Sequence, residues 1–496
     1  MKQRISDRWL YFPIISMGPY LIFRLINQSK LIFTFPLDIT NDLSTYMAQL
    51  FFLAECGFHK LCPYWYNGFI NFQFNQPGWY FFTLPIYWLT KSITASTYIS
   101  LILILIICFL AIYYFGKLHR FSILSRIAFF LFFIANAVSI GNFIKLGRIH
   151  ELFAWVNFVI LAFSILWYKN NKINKKFLLL IPILSIIILS HQIVTLFAFL
   201  MLFSLFLVKD FREKGAIIFV WLVSLTLTSF WWIPYVRDFN KTYAVNITKS
   251  GLLLIFDKAH LLDNFLSFLI PLILLIVFYF YWESHYKAKK EFIFFLPILI
   301  TGGLLFFRII AFLPILKHTY IDPYVTFFTF MILFMFFKLD FKIIPKIIKK
   351  AIYISLILLS ISSILVSHYY TPYFVPHTEL EEDTISLFPY VEDNFLIYKS
   401  PSYTSYDKAY YSYAPIYYNL STPSGWYYEV KEEEYLKALF KMDGYIDDKD
   451  CSKILSLMNY LNSTSIITYK EYCDFFDGCG LYRKIKKGPA CLLVKR

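Results

Sequence analysis

At 58% hydrophobic and 21% aromatic over 496 residues, with a mean hydropathy of +0.57, this chain is too apolar for a soluble globular protein. It reads as a polytopic membrane protein. The formal charge of +15 does not point to nucleic acid, which is excluded as a partner. The Lys and Arg residues fall in short clusters between apolar runs, as the cytoplasmic loops of a multi-pass protein do.

The chain opens with basic residues (Lys2, Arg4, Arg8) ahead of an apolar run over 9–26. No small-residue cleavage site follows and Arg24 interrupts the run, so it reads as a retained signal-anchor with a cytoplasmic N-terminus. Further spans are predicted at 93–115, 127–143, 152–168, 177–190, 193–208, 216–235, 262–282, 292–309, 324–337 and 351–367. That makes about eleven crossings of the plasma membrane. The loops 116–126, 169–176, 209–215, 283–291 and 338–350 each carry three or more Lys or Arg and are assigned inside. The run 177–208 has a second reading as one long tilted helix, which would invert everything after it; the charge of the later loops favours two spans.

The first outer loop, 37–91, carries Asp38 and Asp42, an amphipathic run over 43–53, a Gly/Cys/Pro break and an aromatic segment ending in Gln76-Pro77-Gly78-Trp79. Such a composition suits a surface at the lipid interface. From His368 the long apolar runs stop. Strands are predicted at 394–399, 465–468 and 490–494, and helices at 432–440 and 453–461. The expectation is therefore a transmembrane domain over 1–367 and a small α/β domain over 368–496, outside with the first loop. The Tyr-rich run 403–428 reads either as a sugar-stacking surface or as a loop packed on that domain.

Of the seven cysteines, Cys108 lies in a span and reads as a packing residue. Cys451, Cys473, Cys479 and Cys491 lie in the outer domain and suit two disulfides of open pairing. Cys56 and Cys62 close a short loop by a disulfide, remain free thiols, or, with His59 and Glu55, hold zinc at a non-standard spacing.

Asp38 and Asp42 are the leading candidates for chemistry, one as base or metal ligand and the other steering it. The competing reading is that Asn41 or Asp42 caps the helix starting at Leu43. Gly147-Arg148-Ile149-His150-Glu151, with Lys145, reads as a phosphate clamp or as an Arg148–Glu151 pair at helical spacing. His191 lies at a helical tip. Arg24 and Arg308 near outer span ends suit snorkelling to headgroups, and His318 and Asp322 flank Tyr320.

The order of short motifs carries a resemblance. Asp38 and Asp42 follow the first span. Then come Pro63-x-Trp65-x-x-Gly68, Gln76-Pro77, Pro85, Gly147-Arg148, Ser190-His191 and Trp231-Trp232-Ile233-Pro234. In these the chain resembles the GT-C superfamily of membrane glycosyltransferases, and more closely the prokaryotic membrane proteins labelled 6-pyruvoyl-tetrahydropterin synthase-related. It departs from better known members in having Asp-x-x-x-Asp in the first loop instead of Asp-x-Asp or Asp-Glu.

The resemblance implies a mainly α, polytopic GT-C-like helix bundle with an extracytoplasmic α/β domain. It implies transfer of a sugar from a polyprenyl-phosphate-linked donor to a lipid, glycan or protein acceptor at the outer face. Asp42 is then the first choice of base and Asp38 the second. Arg148, Lys145, His150, His191 and Arg308 face the donor, and Trp65 and Gln76 belong to the aromatic floor. Asp38 and Asp42 would hold a divalent cation (Mg or Mn) if one is used. The alternative on the same frame is a lipid-linked glycan translocase or a non-catalytic membrane scaffold. Polar groups crowding towards one face favour surface chemistry over a path through the bilayer.

Overall fold

The computed structural model describes residues 7–38, 41–239, 251–258, 260–314, 316–341, 344–399 and 407–495. Lys2 and Arg4, residues 342–343 of the last basic loop, residues 403–406 of the Tyr-rich run and Arg496 lie outside the described residues.

The apolar runs fold as helices because, without water, backbone groups within a bilayer are satisfied only by one another. These are α1 (Tyr11–Gln28), α2 (Leu43–Glu55), α3 (Gly78–Thr90), α4 (Ile93–Leu118), α5 (Ile123–Ile134), the single turn α6 (Ala137–Ser139), α7 (Ile149–Tyr168), α8 (Leu180–Ser190), α9 (Gln192–Leu207), α10 (Phe211–Leu227), α11 (Ser229–Phe239), α12 (Leu261–Ser284), α13 (Lys289–Phe306), α14 (Asp322–Lys338) and α15 (Lys346–Tyr370). Each predicted span falls on helical chain, but 127–143 is broken between α5 and the turns that follow it, and 216–235 between α10 and α11. By length and composition five described helices can cross a bilayer, and seven if two bent pairs each count as one span. The bends are 53° between Ile123–Ile134 and Ala137–Lys145, and 71° between Phe211–Leu227 and Ser229–Asp238. Helices α8 and α9, at 11 and 16 residues, are shorter than a full crossing needs.

The core is α7. Its apolar window is 83% buried, against 22% for α12 and α15, which form the periphery. Aromatic rings fill the space around it: Phe158 meets Phe327 and Phe330 edge-on, and Phe197 stacks on Phe327 at 4.3 Å.

All five basic loops gather at one end of this bundle. Lys338 Nζ donates to the His119 carbonyl (2.7 Å), and the Asp340 N–H donates to Ser284 Oγ (3.2 Å). Lys169 pairs with Glu291, and Lys209 Nζ donates to the Asn171 carbonyl (2.6 Å). The last contact returns α9 to the end where α8 began, so α8 and α9 form a hairpin with His191 at its tip.

Arg24 does not snorkel. It is 2% exposed and donates to the carbonyls of Ser367, Thr371 and Pro372 at 3.0, 3.0 and 2.9 Å. A guanidinium so placed satisfies the orphan carbonyls at the C-terminus of α15 and complements the helix dipole.

At the other end sits the first loop. Cys56–Cys62 is a disulfide there, which removes the thiols a zinc site would need. The short hairpin β1 (Leu61–Cys62) and β2 (Phe69–Ile70) follows. Gly78 packs against the α8 terminus so closely that a Cβ would come within 2.4 Å of Ser190 Oγ.

Beyond α15 the chain forms a mixed four-stranded sheet. The order is β3 (Phe395–Ile397), β4 (Ser465–Tyr469), β6 (Ala490–Lys495), β5 (Leu481–Lys487), with β3 parallel to β4 and the other pairs antiparallel. Around it lie α16 (Glu379–Ile385), α17 (Asp407–Tyr418), α18 (Glu433–Asp447), α19 (Cys451–Tyr460) and α20 (Glu471–Gly478). Disulfides join Cys451 to Cys479 and Cys473 to Cys491. Much of the Tyr-rich run is the helix α17, whose Tyr410 and Tyr411 are buried. The first loop is sewn to this part: the Thr422 N–H donates to the Tyr64 carbonyl (2.9 Å) and Trp65 Nε1 to the Tyr411 carbonyl (2.7 Å).

Candidate active site

The site is built where the start of α2, the turn before α7 and the start of α14 meet. Asn41, not Asp42, caps α2: its Oδ1 accepts the Ser44 N–H at 3.0 Å, while the Asp42 side chain makes no cap bond. The Asp42 carboxylate is thereby available to Arg148. Gly147 allows the approach. Its φ is +73°, and a Cβ would lie 2.8 Å from the Leu43 side chain. The Asp42 N–H donates to the Leu146 carbonyl (2.8 Å), locking the two turns together.

Arg148 bridges two acids. Its Nε donates to Asp42 Oδ2 and its Nη1 to Asp322 Oδ2, each at 3.2 Å. The three side chains are 23–36% exposed, so each pair contributes only about 0–1 kcal/mol to stability. Nη2 has no protein partner among the described residues. The bridge orients a guanidinium more than it braces the fold.

Asp38 pairs with Lys145 at 3.0 Å, and both side chains are more than nine-tenths buried. Lys145 ends the π-helical turn Ile140–Lys145, a local widening often found at functional sites. Removing one member of such a buried pair costs about 3–5 kcal/mol. The two acids of the first loop therefore have different surroundings, Asp38 within the protein and Asp42 at its surface.

Behind Arg148, Glu151 accepts from Trp155 Nε1 (3.0 Å) and its other oxygen lies 3.9 Å from His191 Nε2. The alternative reading, an Arg148–Glu151 pair, gives way to these partners. The His150 ring is 4.5 Å from that of Tyr46 and 5.5 Å from that of His191. The Nδ1 atoms of both histidines are buried without a partner among the described residues.

The other predicted residues have contacts of their own. Arg308 donates to Asn264 Oδ1 (2.6 Å) and packs over Phe256 and Phe268 at 5.1 and 4.2 Å. Trp65 is 0% exposed and forms the joint between first loop and sheet, so it offers no ring face to a ligand. Gln76 is half-buried just before α3, where Trp231 Nε1 holds the neighbouring Asn75 carbonyl (2.8 Å). Asp322 is the partner that sequence reasoning underweighted. The signal was Asp322-Pro323, an acid with proline opening a helix.

A divalent cation between Asp38 and Asp42 does not fit this arrangement. Each carboxylate faces its own basic side chain, and among the described residues no three His, Cys, Asp or Glu side chains converge.

No family model and no curated protein matches the sequence. Solved structures do. The apo oligosaccharyltransferase of Archaeoglobus fulgidus superposes with a TM-score of 0.57 at 11% identity, covering 96% of this chain and 71% of that one. ArnT from Cupriavidus metallidurans gives 0.54 at 9%, covering 96% of this chain and 97% of that one. The chain shares the fold of these membrane proteins. The mycobacterial arabinofuranosyltransferase AftD gives 0.59 at 12%, covering all of this chain but 40% of its own length. At these identities the likeness is one of fold.

Proposed function

We propose that the protein is an integral membrane glycosyltransferase that moves a sugar from a polyprenyl-phosphate-linked donor to a lipid, glycan or protein acceptor at the extracytoplasmic face. Within the GT-C fold, its motif order aligns it with the 6-pyruvoyl-tetrahydropterin synthase-related membrane proteins. The observation that carries the reading is Arg148 held between Asp42 and Asp322, with a guanidinium nitrogen left to meet a phosphate beside a carboxylate able to take a proton. A lipid-phosphate donor is supported by the Archaeoglobus fulgidus AglB structure in complex with dolichol-phosphate and an inhibitory peptide, which shares this fold at a TM-score of 0.51 and 10% identity.

In the proposed reaction the acceptor O–H gives its proton to Asp42 as its oxygen bonds to the anomeric carbon. The bond from that carbon to the phosphate oxygen breaks, and polyprenyl phosphate departs with the electron pair. One displacement inverts the anomeric centre and needs no sugar–enzyme intermediate. Asp322 shares the guanidinium, so neither acid monopolises its charge. Four carboxylates (Asp38, Asp42, Glu151, Asp322) face two permanent cations (Lys145, Arg148), so an incoming phosphate adds to a negative balance. Arg148 is the cation placed to meet that charge. Asp38 and Lys145 position the loop from within.

The test is release of polyprenyl phosphate by the purified protein in nanodiscs offered a panel of polyprenyl-phosphate sugars and lipid acceptors. Arg148→Ala should weaken donor binding and turnover together. Donor binding without release for any sugar would leave the non-catalytic scaffold standing, and sugar transport across sealed vesicles without release would mark a translocase.

A further inference from the structure

Helix α2 brings a further group to the site. Tyr46 stands one turn after Asp42, its N–H donating to the Asp42 carbonyl (3.4 Å), so the two side chains are neighbours on one face of the helix. The turn that carries Arg148 approaches from the other side, with the His150 ring 4.5 Å from the Tyr46 ring. Trp79 of α3 meets the same ring edge-on at 6.4 Å. The charges of Asp42 and Arg148 both reach the phenol, and Tyr80 and Tyr427 lie within electrostatic reach of it.

Packing accounts for the ring and not for its hydroxyl. Tyr46 is 7% exposed, and a phenylalanine would fill the same space beside His150 and Trp79. Tyr80, nearby on α3, spends its hydroxyl on Gln49 Oε1 (2.5 Å). The Tyr46 hydroxyl has no hydrogen-bond partner among the described residues. Polar groups in so closed a setting are as a rule paired, so an unspent O–H beside a guanidinium is a place for a ligand's oxygen. Burial and the Asp42 carboxylate push the phenol pKa well above its ordinary value, so the group meets that oxygen as a donor. It does so without adding charge to a site where Arg148 already divides its own between Asp42 and Asp322.

We propose that the Tyr46 hydroxyl is a second ligand of the donor's phosphate, donating to one oxygen while Nη2 of Arg148 meets another. The proposal rests on the transferase reading of this site. As the bond to the anomeric carbon breaks, its electron pair stays on the phosphate oxygen, which becomes a stronger acceptor; the proton remains on the phenol. The hydrogen bond therefore tightens as the reaction proceeds, which lowers the barrier as well as holding the donor.

The test compares wild type, Tyr46→Phe and Arg148→Ala as full chains in nanodiscs, with a polyprenyl phosphate and the matching polyprenol as probes. Tyr46→Phe keeps the ring and removes a hydroxyl that bonds to no described residue, so its unfolding temperature should match that of the wild type. Its affinity for polyprenyl phosphate, read by native mass spectrometry, should fall roughly ten- to a hundredfold, the scale of a hydrogen bond to a charged group, with polyprenol binding unmoved. Turnover at saturating donor should fall as well. Unchanged affinity for polyprenyl phosphate in Tyr46→Phe overturns the proposal, and the transferase reading survives it if Arg148→Ala loses that affinity. Equal losses for the phosphate and the polyprenol, or a lowered unfolding temperature, mark a packing role and overturn it too. A wild type that holds polyprenol as tightly as polyprenyl phosphate removes the proposal and the reading together.

Discussion

Neighbouring residues at the start of α2 separate a structural role from a chemical one, and Asn41→Ala with Asp42→Asn makes the separation measurable. Asn41→Ala removes the Oδ1 acceptor of the Ser44 N–H, a cap worth about 1 kcal/mol. Asp42→Asn removes one half-exposed charge contact while Asp322 keeps its hold on Arg148, so the stability change should stay within about 0–1 kcal/mol. Turnover should move the opposite way. Loss of the base should lower release of polyprenyl phosphate by at least about a hundredfold, the usual scale of general-base catalysis. That corresponds to roughly 2.7 kcal/mol of barrier, well above the stability change. Asn41→Ala should keep turnover within a few fold, and Asp322→Asn should lose less than Asp42→Asn. The measurements are thermal unfolding in nanodiscs and single-turnover release on the same preparations. Near wild-type turnover in folded Asp42→Asn would refute the reasoning, as would losses in both variants that simply track stability.

Three further outcomes are expected. Glu291→Gln strands the buried Lys169 ammonium, now also held by Tyr281, and should destabilise the protein by about 3–5 kcal/mol, with Lys169→Met recovering part of the loss in the double variant's melting temperature. In the terminal sheet region, burial and the nearby Asp443 push the Asp407 carboxyl up to about 7. The folded state therefore holds this proton more tightly than the unfolded chain, and stability should fall as pH rises from about 4 to 7; a pH series of melts should flatten in that window in Asp407→Asn. Non-reducing peptide mapping should find Cys56–Cys62, Cys451–Cys479 and Cys473–Cys491, with Cys108 as the free thiol; free thiols at 451–491 in fresh protein would contradict this pairing.

The bundle was legible because a bilayer leaves a long apolar run few options, and the loops announced their common end by charge. The strands at 465–469 and 490–495 were legible as short apolar runs. Strand β5, Leu-Tyr-Arg-Lys-Ile-Lys-Lys, was not, because its basic side chains belong to an exposed edge and hide its period. The Tyr-rich run looked like a loop, since Tyr is a poor helix former; burial of Tyr411 against β3 and of Tyr410 beside Phe388 outweighs propensity. At the site, the two acids and Gly147-Arg148 could be named from the chain, but their partition could not. Which acid lies inside and which faces Arg148 depends on a π turn and on an Asp more than a hundred and seventy residues away. The Lys169–Glu291 pair escaped notice because both residues sat in loops expected to be solvated.

Arg24 has a consequence for the order in which the protein is made. Its acceptors begin 343 residues later in the chain, at Ser367. At about 5–20 residues per second, translation takes roughly 17–70 s to reach them. For that interval the first helix sits in the membrane with an uncapped guanidinium, which must reach the headgroups or borrow another carbonyl. The contact that joins first helix to last is therefore made only after the whole bundle has been threaded. It acts as a late clasp on assembly, and a chain truncated before α15 would be left with a stranded charge for quality control to find.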